Sequence, residues 1–215
     1  MPTERLPPST GAPLVLVGAG GHAKVVIDAL LAAGFTDPIE VRDDRERPAS
    51  DPLWGGRAIE RPVRAPVAPG SRVHVAIGLN RVRIALLREL QLLGATPATI
   101  VHPSATISEL AELGEGGFVG AGAVIAPAAV VGPAAIVNHG AIVDHDCRLG
   151  EAVHVAPNCT LGGGVVVGDR VLLGASSVVL PGLRIGHDCT VGAGAVVTTD
   201  LPDGCTATGV PARIR

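Results

Sequence analysis

The chain has 215 residues, a formal charge of −3 and an apolar fraction of 47%, with aromatic residues held to 1%. The near balance of charge argues against a general electrostatic attraction to nucleic acid or to an anionic membrane, and the three aromatics, Phe35, Trp54 and Phe118, are too few to form the stacking platforms that single-stranded nucleic acid uses. This length allows one or two domains, and a change of periodicity near the middle favours two.

Residues 1–13 carry Pro2, Pro7, Pro8 and Pro13 among polar residues and read as a flexible leader, without an apolar run of signal-peptide length. No stretch is long and apolar enough to cross a bilayer, so a soluble, cytoplasmic protein is expected. Leu14-Val15-Leu16-Val17 reads as a buried strand. It enters Gly18-Ala19-Gly20-Gly21-His22-Ala23, after which Lys24 to Leu31 takes up helical spacing until Gly34 stops it. Gly18, Gly20 and Ala23 match the dinucleotide fingerprint with Ala in third place, a turn through which backbone N–H groups can approach a phosphate or a polar ring. The same glycines also serve a plain strand-to-helix turn.

Ile39-Glu40-Val41 is a second strand ending near Asp43 and Asp44, about twenty residues past the glycines, where a carboxylate can hold a sugar hydroxyl or simply close an acidic turn. The span 45–70 is loop with one short strand. Val73 to Gly78 is a further strand, followed by a helix from about Arg81 to Leu93. The order β-α-β-β-α over residues 14–98 describes a half-Rossmann domain, too short for a whole dinucleotide and suited to one nucleotide or nucleotide sugar.

Residues 99–215 follow with no flexible linker, and their pattern is different. From Val101 to Val197 every sixth residue is aliphatic, seventeen positions out of seventeen, and nine of these are followed directly by glycine. A hexad of this kind fits neither a helix nor an ordinary strand. It marks a parallel β-helix in which three hexads close one coil and residues eighteen apart stack. Slightly more than five coils at strand spacing give a prism roughly 25 Å tall. The hexads contain no insertion, so no loop is available as a lid, and any active site must use the prism faces, the first domain or a neighbouring subunit. Cys147, Cys159, Cys189 and Cys205 show no C-x-x-C spacing and read as reduced packing thiols.

Among the seven histidines, His145 stands out. It stacks on Pro127 and Gly163, the latter leaving space for an imidazole, and it lies between Asp144 and Asp146, either of which can accept its second N–H and raise its basicity. His139 and His187 share its hexad place on other sides of the prism and read as structural or solvated, as do His74 and His102. A metal site is not expected, because no two histidines have the spacing that γ-class carbonic anhydrases use between subunits.

Taken together, Gly18 to Val26, Asp43-Asp44, Ala76-Ile77-Gly78-Leu79-Asn80, His102-Pro103-Ser104-Ala105, Asp144-His145-Asp146-Cys147 and Gly209-Val210-Pro211-Ala212-Arg213 make the chain similar to the acetyltransferases that modify 4-amino nucleotide sugars, of the perosamine and bacillosamine type. Sialic acid O-acetyltransferases are relatives. The resemblance implies a left-handed β-helix, a homotrimer and acetyl-CoA as cosubstrate. It makes His145 the general base with Asp146 behind it, and it places the acetyl-CoA thioester near His154 and the pantetheine arm near the backbone of Ala175 and Ala193. Gly20, Gly21, His22, Asp43, Asp44 and Gly78 would bind the nucleotide sugar. The chemistry further requires an oxyanion donor, for which the Gly163 N–H, one coil from His145, is the candidate. Two other functions stay open at this point: O-acetylation of a sialic acid-type acceptor, and a non-catalytic trimer that senses a nucleotide.

Overall fold

The computed structural model describes residues 11–45, 59–60, 62–63, 67–68 and 70–215. The first part is a parallel sheet in the order β3-β2-β1-β4-β5, with β1 Leu14–Val17, β2 Ile39–Arg42, β3 Ile59–Glu60, β4 Arg72–Val75 and β5 Thr96–Pro97. Helix α1, Gly21–Ala32, covers one face and α2, Asn80–Leu92, the other. Strand β1 is an unbroken apolar run because both its faces are covered. Leu14 and Leu16 pack with Val26, Ile27 and Leu30 of α1, whereas Val15 and Val17 pack with Ile84, Leu87 and Leu90 of α2. Gly18 ends β1 at φ 107°, where a Cβ would come within 3.0 Å of the Ala76 carbonyl, so the turn after β1 tolerates only glycine.

The second part is a left-handed parallel β-helix of two-residue strands repeating every six residues, from Ile100–Val101 to Val196–Val197. Its first face runs Ile100–Val101, Phe118–Val119, Ile136–Val137, His154–Val155, Leu172–Leu173 and Thr190–Val191. The second begins at Thr106–Ile107 and the third at Glu112–Leu113, each continuing in steps of eighteen. In each strand the hexad aliphatic residue turns inward. A second column, from Ala105 through Ala123, Ala141, Cys147, Cys159 and Cys189 to Ala195, lies buried beside it. The cysteines are members of this small-residue column, reduced and buried.

Each hexad also turns one corner through a left-handed residue, at Gly116, Gly122, Ala128 and so on every sixth position to Gly194. The glycines that follow the aliphatic residues have a different cause. A Cβ on Gly114, Gly132 or Gly174 would lie 2.4–2.6 Å from backbone atoms of the next coil, so glycine there permits stacking. The coil outlasts the hexad phase. Leu201 still bridges to Ile185, Thr206–Thr208 pairs with Thr190–Val191, and the antiparallel strand Arg213–Ile214 covers the open edge.

The two parts share cores. Ile100, Phe118 and Ile136, outward residues of the first face, are buried under α1, and Ala134 and Ala152 at the corner between the third and first faces join the cluster of α2. Helix α2 lies along that corner. Gln91 bonds Glu115, Arg88 pairs with Glu151, Asn80 Nδ2 donates to the Arg170 and Val171 carbonyls at 2.9 and 3.0 Å, and Arg81 pairs with Asp188 at 2.9 Å. Among the described residues no helix is long and apolar enough to cross a membrane.

Candidate active site

Between the carboxyl ends of β1 and β4 lies an open cavity of about 470 Å3, lined by Gly18, Gly20, Gly21, His22, Arg45 and the run Ala76 to Leu79. This is where a parallel sheet offers helix N-termini to a ligand. Both Gly21 and Gly78 face open space, since a Cβ on either would meet nothing within 4 Å. The expected sugar residues Gly20, Gly21, His22 and Gly78 therefore converge on one cavity. Asp43 and Asp44 lie outside its lining. One Asp43 carboxylate oxygen accepts the Ala19 N–H at 2.7 Å and the other the Arg45 N–H at 2.8 Å, which ties the end of β2 beneath the glycine turn. Asp44 accepts the Val63 N–H at 2.8 Å. Most of the 45–70 loop lies outside the described residues, and Arg45 is the described residue by which it joins the lining.

The cavity backs onto the first face of the prism. His22 stands edge-on to Phe118 with ring centres 5.1 Å apart, and 6.5 Å from His154. Burial is the main cause that pushes His22 down to about 3 and both His74 and His154 down to about 4, with the Arg83 charge adding to each. All three are neutral at physiological pH. The Nε2 atoms of His22 and His74 are buried without a hydrogen-bond partner. Asn138 fixes the tautomer of His154. Its Oδ1 accepts the His139 N–H at 2.9 Å, which directs its amide nitrogen to His154 Nε2 at 3.2 Å, while the Gly78 carbonyl faces the same ring.

His145 lies at the corner between the second and third faces. Its Nδ1 is 2.8 Å from Asp146 Oδ2, and its backbone N–H donates to Asp144 Oδ1 at 2.7 Å. Asp146 takes the left-handed corner at φ 60°, a conformation open to Asp and Asn because their short polar side chains bond locally. The hydrogen bond that His145 gives to Asp146 is the first cause that raises the His145 pKa, and the Asp144 charge adds to it. The ring fills the space over Gly163: a Cβ there would sit 2.5 Å from Cε1 and Nε2. Gly162 and Gly164 spend their N–H groups on the Val179 and His145 carbonyls, and the ladder passes over that of Gly163. Cys147 is buried, which is the larger cause of its raised pKa, ahead of Asp144, and its thiol donates to the Gly162 carbonyl at 3.2 Å. It packs rather than reacts. Ala175 and Ala193 stack, exposed, at the corner between the first and second faces, with the Gly194 N–H on the Ala175 carbonyl.

One chain therefore does not assemble the predicted site. The cavity with His22 and His154 belongs to the first face, and His145 belongs to a corner that the first face does not border. No group of metal-ligating side chains occurs among the described residues. Two residues escaped the sequence reading, Asn138 and Arg83. Arg83 had a signal, because it falls on the buried stripe of α2 with Leu87 and Leu90, where a cation needs a reason.

Residues 13–90 match the model of the PglD N-terminal domain, and residues 164–199 that of the hexapeptide repeat of succinyl-transferase. Among solved structures, the chain is 41% identical to a mutant of GDP-perosamine N-acetyl transferase from Caulobacter crescentus in complex with CoA and GDP-perosamine, over 95% of this chain and 97% of that one, with a TM-score of 0.81. It is 33% identical to the acetyltransferase domain of PglB from Neisseria gonorrhoeae FA1090 in complex with acetyl coenzyme A, over 94% and 98% of the two chains, with a TM-score of 0.84. WeeI from Acinetobacter baumannii AYE shares the fold at 23% identity, over 95% of this chain and all of that one, with a TM-score of 0.69. No curated protein sequence matches the chain.

Proposed function

The chain belongs to the hexapeptide-repeat N-acetyltransferases of nucleotide-linked amino sugars that carry a PglD N-terminal domain, and from that premise we propose that it acetylates a sugar 4-amino group with His145 as general base. Acetyl-CoA is the cosubstrate. The observation that carries the base assignment is the hydrogen bond from His145 Nδ1 to Asp146, which leaves the Nε2 lone pair over Gly163 and toward solvent.

In this reading the nucleotide sugar occupies the cavity at Gly20, Gly21, His22 and Gly78, with Asp43 holding the glycine turn in shape from below. Its amine attacks the thioester carbonyl carbon. As the C–N bond forms, an amine proton passes to His145 Nε2, and Asp146 steadies the imidazolium. The oxyanion of the tetrahedral intermediate takes the Gly163 N–H, the one the ladder passes over. Collapse breaks the C–S bond, and the proton on His145 goes to the departing thiolate. No acyl-enzyme forms, in keeping with the buried Cys147 thiol.

His154, Ala175 and Ala193 form the acetyl-CoA side, near the first face. Because the cavity and His145 lie on different sides of one prism, the working site pairs the cavity of one subunit with the His145 corner of the next, and three such pairings close a homotrimer. The interface also excludes water, a task for which the hexads supply no loop.

The test is a thiol-release assay with acetyl-CoA and a panel of nucleotide-linked amino sugars, read for wild type and His145→Ala. We expect turnover on a 4-amino sugar nucleotide and a loss of about a hundredfold or more in the variant, the upper range of general acid–base contributions. Turnover only with hydroxyl acceptors such as sialic acid would make the protein an O-acetyltransferase. Binding without thiol release across the panel would make it a nucleotide-sensing scaffold.

A further inference from the structure

Arg83 is the largest fully buried side chain of the described residues, 1% exposed, and its pKa is lowered by burial to about 9 with no carboxylate opposing the shift. A buried cation without an anionic partner is costly unless every donor is satisfied. Arg83 meets that condition. Nε donates to the Ala134 carbonyl at 2.7 Å, and Nη2 donates to the Ala152 carbonyl at 2.8 Å and to Asn80 Oδ1 at 2.9 Å. Nη1 donates to the carbonyls of Ile77 at 2.9 Å and Gly78 at 3.2 Å. Five acceptors take the five N–H groups a guanidinium has.

The acceptors fall into two sets. Ala134 and Ala152 are successive corners of the prism, eighteen residues apart, each in the left-handed conformation with its carbonyl turned out of the ladder toward α2. Ile77 and Gly78 line the cavity, and the Gly78 carbonyl also faces His154. A single rigid, planar group thus joins the cavity wall to the prism. Lysine has three donors on a flexible stem and cannot span both sets at once.

We propose that Arg83 is a positioning residue of the transfer reaction, which sets the nucleotide-sugar cavity against the first face of the prism by holding the Ile77 and Gly78 carbonyls at a fixed distance from the Ala134 and Ala152 corners. The assignment rests on the reading that this cavity takes the nucleotide sugar. Arg83 touches no reactant itself. It acts through Gly78, whose backbone forms the cavity wall on one side and meets His154 on the other.

The experiment is steady-state kinetics of Arg83→Met and Arg83→Lys in the full chain, with each substrate varied in turn, beside thermal melting. Loss of the tie should raise KM for the nucleotide amino sugar about tenfold or more in both variants while KM for acetyl-CoA stays within about twofold, since Asn138 still holds His154 on the acetyl-CoA side when the cavity wall shifts. A lowered Tm with both KM values unchanged would reduce Arg83 to a structural residue and overturn the proposal, as would equal rises in both KM values. Restoration of the wild-type KM by Lys would also overturn it, because charge alone would then suffice. Should neither variant fold, Asn80→Ala removes one Arg83 acceptor and two contacts to the prism, and it should show the same split at smaller size; its absence would refute the assignment. Gly78→Leu separates the premise from the inference, because a side chain there enters open cavity without backbone strain. If Gly78→Leu leaves the acceptor KM unchanged, the cavity reading itself fails. If Gly78→Leu raises it and Arg83→Met does not, the positioning role alone is wrong.

Discussion

The prism carries two His-Asp pairs at the same hexad place on different corners, His145-Asp146 and His187-Asp188, and in only one of them does the aspartate hold its own histidine. Both aspartates take the left-handed corner, at φ 60° and 55°. At the first, Asp146 Oδ2 receives His145 Nδ1 at 2.8 Å, so the proton sits on Nδ1 and Nε2 keeps its lone pair. At the second, Arg170 grips Asp188 through Nε and Nη2 at 2.8 and 2.9 Å, Arg81 of α2 adds a third contact at 2.9 Å, and the carboxyl is held below its usual range. His187 Nδ1 is instead taken up by Asp169, whose backbone N–H lies 2.9 Å and whose Oδ2 lies 3.2 Å from it, so His187 is not held by its own neighbour Asp188. The repeat supplies the same residues twice. The helix packed beside one corner consumes the carboxylate, and the bare corner leaves it to the histidine.

Four substitutions can break or sharpen that contrast. His145→Ala should cost about a hundredfold or more in kcat with the assembly intact, the general-base loss described above. Gly163→Ala places a methyl where the imidazole lies and should cost about tenfold in kcat with little change in Tm, because the exposed ring moves aside and loses its aim. A wild-type rate would mean that the seat over Gly163 is irrelevant to the chemistry.

Asp146→Asn keeps the left-handed corner and removes the charge. Since Asp146 and Asp144 raise the His145 pKa, the unprotonated base is available only above that raised value, and activity falls as pH drops through it. The acid limb of kcat/KM should therefore move to lower pH in the variant, with a plateau lower by a few-fold to about tenfold as tautomer control and imidazolium stabilisation are lost. An unmoved limb would assign it to another group. His187→Ala, finally, should leave kcat and both KM values within about twofold, and a larger loss would erase the distinction between the two corners.

The architecture is legible in the sequence because the hexad aliphatics and the strand-glycine-helix start are periodic or local signals. His145 was legible for the same reason: Gly163 lies eighteen residues on, and stacking follows from the repeat. The grouping of Gly20, Gly21, His22 and Gly78 came from the resemblance, and the cavity brings them together. Asp43 shows the limit of spacing as evidence. Its distance from the glycines suited a sugar hydroxyl, yet its oxygens accept the Ala19 and Arg45 N–H groups, a bond pattern that depends on where β2 ends. The occupied state of Asp188 and the buried position of Arg83 were also out of reach, since both follow from where α2 docks and no periodicity encodes that.

The docking of α2 has a consequence for how this protein can change in length. Thirteen helical residues span about 20 Å, and the coils they touch, from Glu115 to Asp188, span four steps of about 4.8 Å, or roughly 19 Å. The helix is a ruler laid against the prism: Gln91 meets the first of these coils, Arg83 the second and third, Arg88 the third, Asn80 the fourth and Arg81 the fifth. A coil inserted inside that measured stretch would shift every later mark by one, separating the cavity from its corner contacts. A coil added after Asp188 would lie off the scale. Growth and loss of repeats should be confined to the carboxyl end, where nothing is counting.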